Sequence, residues 1–178
     1  MCSSDLDLLL AAVRHLADKG RDDIQFVLVG GGPALHELRE MAQRMGISDR
    51  VTFTDRAPDR DLFEVLSTAD VCVNPDRVNP MNDKSTMNKI LEYMAFEKPI
   101  VQFEVTEGRY SAAEASLYAR SSDSVDLADK IEELLADADK RALMGAIGRK
   151  RVETLFAWPF QVGPLIAAYQ RILAPRKG

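Results

Sequence analysis

Short, continuously apolar runs alternate with amphipathic ones along nearly the whole chain, and this alternation constrains the fold more than any other feature. Leu6–Ala17 places Leu6, Leu9, Leu10, Val13 and Leu16 at the three- and four-residue spacing of a helix with one apolar face. Ile24–Val29 is an apolar run ended by Gly30-Gly31-Gly32-Pro33, which reads as a buried strand stopped by glycine. A helix follows over Ala34–Met45, with Gly46 as its stop. Val51–Thr54 and Asp70–Asn74 read as strands around a helix over Asp61–Ser67, opened by Pro58-Asp59. Pro75–Asp83 reads as loop, Ser85–Phe96 as helix, and Pro99–Phe103 and Ser116–Ala119 as strands. Helices near Val125–Ala136, Lys140–Leu155 and Phe160–Leu173 complete the chain.

Strands that are apolar on both faces belong in a parallel sheet covered by helices on both sides. Right-handed crossovers then give an α/β, doubly wound, Rossmann-like sheet in one domain over residues 1–178. Ligands of such sheets bind beyond the carboxyl ends of the strands. The loops that matter are therefore Gly30–Pro33, Asp55–Pro58, Pro75–Ser85 and Phe103–Ser111. Met1-Cys-Ser-Ser-Asp5 leads straight into a helix, whereas such a sheet begins with a strand. The expectation is a missing first strand or a misplaced gene start. An open sheet edge follows from it, with marginal stability or association.

A net charge of −5 argues against nucleic acid as the main partner, because phosphate backbones call for basic surfaces. No apolar stretch approaches the roughly 20 residues of a membrane span, and no signal peptide is evident. The two cysteines, Cys2 and Cys72, are isolated, which fits a reducing cytoplasm. His15 and His36 sit on helices away from the loops, and no cluster suggests a metal. The acidic run Asp126–Asp139 lacks a calcium-loop pattern and reads as a solvated face.

Asn82–Val101 carries the chemistry. Ser85 and Thr86 are placed to cap the following helix, whose free N–H groups and positive dipole end suit a diphosphate. Lys89 lies one turn further in, and Glu92 follows on the same face, where a carboxylate can accept from a ribose diol. An amphipathic helix with a solvated Lys89–Glu92 pair is the other reading of the same spacing.

Lys89-Ile-Leu-Glu92-Tyr-Met-Ala-Phe-Glu-Lys-Pro99-Ile-Val resembles the C-terminal-domain signature of retaining GT-B glycosyltransferases of family four. Phe26–Pro33, Val51–Thr54, Ala69–Pro75, Arg149–Glu153 and Trp158 extend the resemblance from about Leu6 onward. It implies a domain that binds a UDP-, GDP- or ADP-sugar donor, works with retention and without a metal, and pairs with an N-terminal acceptor domain. That domain is not in this sequence, so the isolated chain is expected to bind a nucleotide sugar rather than to transfer it. Peripheral membrane contact would run through the absent domain.

The resemblance assigns Glu92 to the ribose, Ser85, Thr86 and Met87 to the distal phosphate, and Arg56 to the base. Gly31 and Gly32 leave room beside the nucleotide. The family's first glutamate falls at Lys84, with Asp83 beside it. Either Asp83 substitutes for it, or the donor sugar is contacted differently; Asp83, Lys84 and Lys89 are thus the candidates nearest the reaction. Glu97 replaces the usual glycine at a surface helix end. Glu104, Glu107, Gly108, Arg109 and Glu114 form a charged loop near the same edge, and Trp158-Pro159 reads as a break between packed helices.

Overall fold

Five of the thirteen residues of the first helix, α1 (Leu6–Asp18), are buried: four of those its periodicity selects, Leu9, Leu10, Val13 and Leu16, with Ala12 added, while Leu6 is only half-buried. A computed structural model describes residues 5–173 of the chain. Cys2 and the other residues ahead of Asp5 lie outside the described part. The element order is α1, β1 (Phe26–Leu28), α2 (Leu35–Arg44), β2 (Val51–Phe53), α3 (Asp59–Thr68), β3 (Cys72–Asn74) and α4 (Asn88–Ala95). It continues with β4 (Ile100–Phe103), α5 (Thr106–Ala112), β5 (Ser116–Ala119), α6 (Ser124–Ala136), α7 (Ala138–Arg151) and α8 (Trp158–Leu173).

All strand pairs are parallel, as the apolar runs require, but the strands form two groups. β1 pairs with β2, with Phe26 opposite Val51. β4 lies between β3 and β5, with Val101 opposite Val73 and Leu117. The wholly buried β4 sends Val101 and Phe103 into a large core with Leu10, Leu16, Leu127 and Ile131 of α1 and α6. Ile100 points the other way, into a second core with Ile90, Met94, Ala112 and Ala115. The two cores are the two faces of a doubly wound layer.

Helix ends explain the chain's turns. Gly46, at φ +66°, lets Ile47 N–H donate to Ala42 O (3.0 Å) and closes α2 in a Schellman turn. α4 closes the same way, with Lys98 N–H on Tyr93 O (2.9 Å) and Glu97 N–H on Met94 O (3.0 Å). Here the left-handed residue is Glu97, at φ +56°, where a side chain costs roughly 1–2 kcal/mol. Glu97 is therefore a strained turn rather than a neutral surface substitution. The turn is also crowded: a Cβ on Gly145 of α7 would lie 2.1 Å from Glu97 O.

Three other expectations need correction. Phe103–Ser111 is not loop, because Thr106–Ala112 forms α5; its Gly108 and Ser111 are buried, and two glutamates nearby masked a helix too short to show periodicity. The helix expected over Lys140–Leu155 ends at Arg151 and continues as a wider π-helical turn over Val152–Phe156. Trp158 does not pack a break between helices: it opens α8 and is 64% exposed, on a helix with no buried residue. None of the described helices is long and apolar enough to cross a membrane.

Candidate functional site

The loops at the carboxyl ends of β1 and β2 meet. Gly30 N–H donates to Asp55 O (3.0 Å), and Asp55 itself is at φ +55°. Gly31 stands against Arg56, where an added Cβ would sit in ordinary contact 3.4 Å from Arg56 N. Gly32 has open space around it. The exposed Arg56 side chain and the Gly31-Gly32 turn thus flank one corner of the carboxyl edge, with Arg39 pinning Asp55 at 2.8 Å.

The Pro75–Met87 connection leads from β3 to α4 and differs from expectation at its end. α4 starts at Asn88, and Met87, in extended conformation, occupies the N-cap position with no side-chain cap. Ser85 and Thr86 do not cap it. Ser85 Oγ donates to Met81 O (2.6 Å) and Thr86 Oγ1 to Glu107 Oε1 (2.8 Å), because a 3-10 turn over Asn82–Lys84 comes first and carries both hydroxyls off the helix axis. The result leaves the amide N–H groups at the start of α4 without a side-chain acceptor, so the positive end of the helix is open.

Asp83 accepts the backbone N–H of Thr106 (2.8 Å) at the start of α5, and that hydrogen bond holds its carboxyl below the usual range. The residue is anchored between two helix starts, while Lys84 beside it is exposed. Lys89 is not a free cation: its Nζ reaches the Asp76 carboxylate at 2.9 Å. Glu92, one turn along α4, is exposed. Lys89 and Glu92 line one cavity of about 720 Å³, whose other walls come from β1, β3, α3 and α6. The structure therefore gathers the candidates into three groups: Gly31 with Arg56, Asp83 and Thr86 with the α5 start, and Lys89 with Glu92.

Several polar residues at this edge had no place in the sequence reading. Arg77 takes both oxygens of Asp7 (2.8 and 2.6 Å) and reaches Asp5 (3.3 Å), tying the start of α1 to the loop after β3. Asn74 and Gln102, opposite each other on β3 and β4, are buried, and each leaves its amide oxygen without a partner. Gln102 Nε2 donates to Ser116 Oγ (3.1 Å). The available signal was a polar residue at the carboxyl end of each of two apolar runs. Burial pushes the Cys72 thiol up to about 12, the mark of an inert core cysteine. His15 is half-buried near Asp129 and His36 is exposed beside Glu40; neither joins the candidate groups. Among the described residues no three His, Cys, Asp or Glu converge as a metal site would require.

The profile of the family described as glycosyl transferases group 1 matches residues 3–137. A GDP-mannose-dependent alpha-(1-6)-phosphatidylinositol monomannoside mannosyltransferase from Mycobacterium tuberculosis is 32% identical over 143 residues, 77% of this chain and 37% of the relative. A 2-deoxystreptamine glucosyltransferase from Streptomyces kanamyceticus is 26% identical over 93% of this chain and 42% of its own length. Among solved structures, sucrose-phosphate synthase from Thermosynechococcus elongatus superposes with a TM-score of 0.79 at 26% identity, over 95% of this chain and 42% of that one. WaaG, a glycosyltransferase involved in lipopolysaccharide biosynthesis, superposes with a TM-score of 0.71 at 17% identity, over 96% and 44%, and shares the fold. The chain spans about two fifths of the length of these proteins.

Proposed function

Because the chain belongs to the group 1 glycosyl transferases, we propose that it is the nucleotide-sugar-binding half of a GT-B enzyme that transfers a hexose from a nucleoside diphosphate donor. In that reaction an acceptor oxygen bonds to the anomeric carbon as the bond from that carbon to the diphosphate oxygen breaks, with retention and without a bound metal. Retention rests on the likeness of Lys89–Val101 to the retaining signature. The acceptor belongs to a second domain, and on its own the chain binds donor without turning it over.

The observation that carries this reading is the open N-terminus of α4 with Lys89 and Glu92 following on one wall. Unpaired N–H groups and the helix dipole offer a leaving diphosphate the partners it gains charge against. Lys89 adds a cation whose position Asp76 sets. Glu92 accepts from the ribose hydroxyls, and Arg56 with the Gly31-Gly32 turn borders the base. Asp83, Lys84, Ser85, Thr86 and Met87 shape the floor towards the sugar, with Asp83 and Thr86 acting through their bonds to α5. The name of the mannosyltransferase relative supports a guanine base.

Titration calorimetry with GDP, UDP and ADP tests this directly. GDP is expected to bind best, and Glu92→Ala to weaken it at least tenfold, about 1.4 kcal/mol. A folded chain that binds none of the three nucleotides overturns the reading.

A further inference from the structure

α7 ends between the two helices that flank the candidate donor loop. Arg149 and Arg151 stand in its last turn, and residues two apart on a helix point to nearly opposite sides, about 200° from each other. Arg149 Nη1 donates to the carbonyl of Ala95 (2.6 Å), the last residue of α4, while its Nε donates to Glu153 (2.5 Å). Arg151 donates from Nε to Ser111 O (3.0 Å) and from Nη2 to Tyr110 O (2.7 Å), two carbonyls in the last turn of α5. Its guanidinium also lies over Phe156, whose ring meets Tyr110 edge-on. Glycine permits the close seat of α7: a Cβ on Gly148 would lie 3.0 Å from Met94 Cγ and 3.2 Å from Ala115 Cβ.

We propose that Arg149 and Arg151 are positioning residues for the donor site, holding α4 and α5 by their carboxyl ends and so setting where their amino ends stand. The two helices have eight and seven residues, too few to be stable alone, so their outside bonds determine where they lie. α4 spans about 12 Å, and as a short rod it carries a shift at Ala95 to its start at Asn88. α5 is held at its other end by Asp83, which accepts from Thr106 N–H (2.8 Å), and by Thr86, which donates to Glu107 (2.8 Å). In between, the buried Gln102 reaches Gly108 O at a long 3.4 Å. The carboxyl end of a helix is also its negative end, where a cation is favourable. Loss of Arg151 therefore frees α5 to draw Asp83 and Thr86, with the connection they belong to, away from the start of α4. The ligand group affected is the distal phosphate of a nucleoside diphosphate, and in this the proposal rests on the donor reading.

The test uses the 178-residue chain with Arg149→Ala, Arg149→Lys, Arg151→Ala and Arg151→Lys, each checked for folding by circular dichroism. Calorimetry compares GDP with GMP, which lacks the distal phosphate. Arg151→Ala is expected to weaken GDP about tenfold and Arg149→Ala about fivefold, with GMP changed by less than about twofold. Arg149→Lys should keep GDP binding, since one carbonyl needs one donor, and Arg151→Lys should not, since two carbonyls need the guanidinium fork. Equal loss of GDP and GMP, no loss in folded alanine variants, or full binding by both lysine variants overturns the proposal. Should an alanine variant not fold, the two lysine variants decide by the same criterion.

Amide exchange keeps this outcome separate from the donor reading. Arg151→Ala should speed exchange at Thr106, whose N–H Asp83 accepts, and Arg149→Ala at Ile90, whose N–H bonds Met87 O. Each is expected to rise roughly tenfold while Val101 in β4 stays unchanged. If the unaltered chain binds neither nucleotide, the donor reading fails and these two amides decide the positioning role. Unchanged exchange at both then overturns it.

Discussion

The three-stranded group and the two-stranded group are built from similar apolar runs, yet they are supported differently. β4 is buried along its length and packed on both faces, by α1 and α6 on one side and by α4, α5 and α7 on the other. β1 is buried at Phe26 alone and exposes Val27, and its strand partner is the short β2. The second group joins the first through helices, chiefly the buried face of α1, rather than through a continuous hydrogen-bond ladder. A strand therefore owes its stability less to its own composition than to having neighbours on both edges. β4, which follows the helix carrying Lys89 and Glu92, has them, and β1, which leads to Gly31, does not.

That contrast can be broken most forcefully at Leu10, which is fully buried on α1. Leu10→Ala is expected to lower stability by about 4 kcal/mol. In native-state hydrogen exchange, Phe26–Leu28 should lose protection before Ile100–Phe103; simultaneous loss would show the two groups to be one cooperative unit. The opposite intervention is Gly145→Ala, which drives a methyl group into Glu97 O. Urea unfolding should show a loss of about 3 kcal/mol, with exchange now faster in the Ile90, Met94 and Ile100 core than around α1. The smallest effect sharpens the same turn from the other side. Glu97→Gly relieves the positive φ and should raise the urea midpoint by an amount worth about 1 kcal/mol without changing the slope.

Much of this was legible beforehand, and the reasons are local. The apolar face of α1, the stop at Gly46 and the unbroken apolar run of β4 follow from side-chain period and glycine conformation, which act within a few residues. Lys89 and Glu92 share a wall because three residues is nearly one helical turn. Most of what escaped depends on partners distant in the chain. Ser85 and Thr86 fit a cap by type, but Met81 and Glu107 take their hydroxyls instead. α5 is a single short helix whose start is held by Asp83, twenty-three residues earlier. The Asp76–Lys89 pair and the hold of Arg77 on α1 likewise join residues whose separation no periodicity encodes. Glu97 was visible as a departure from glycine, but its strain was not, since φ belongs to the turn and not to the residue.

α8 has a consequence for how the molecule can be watched. It carries the only tryptophan of the chain, Trp158, and presents Phe160, Ile166, Tyr169 and Ile172 to solvent along the same exposed helix. The indole already sits in water while both cores are intact, so its emission is that of a solvated chromophore in the native state. Melting of the sheet will shift that light little. Anything that settles onto α8 will move it towards the blue, so the protein has a built-in optical probe for the covering of its last helix and an almost silent one for its interior.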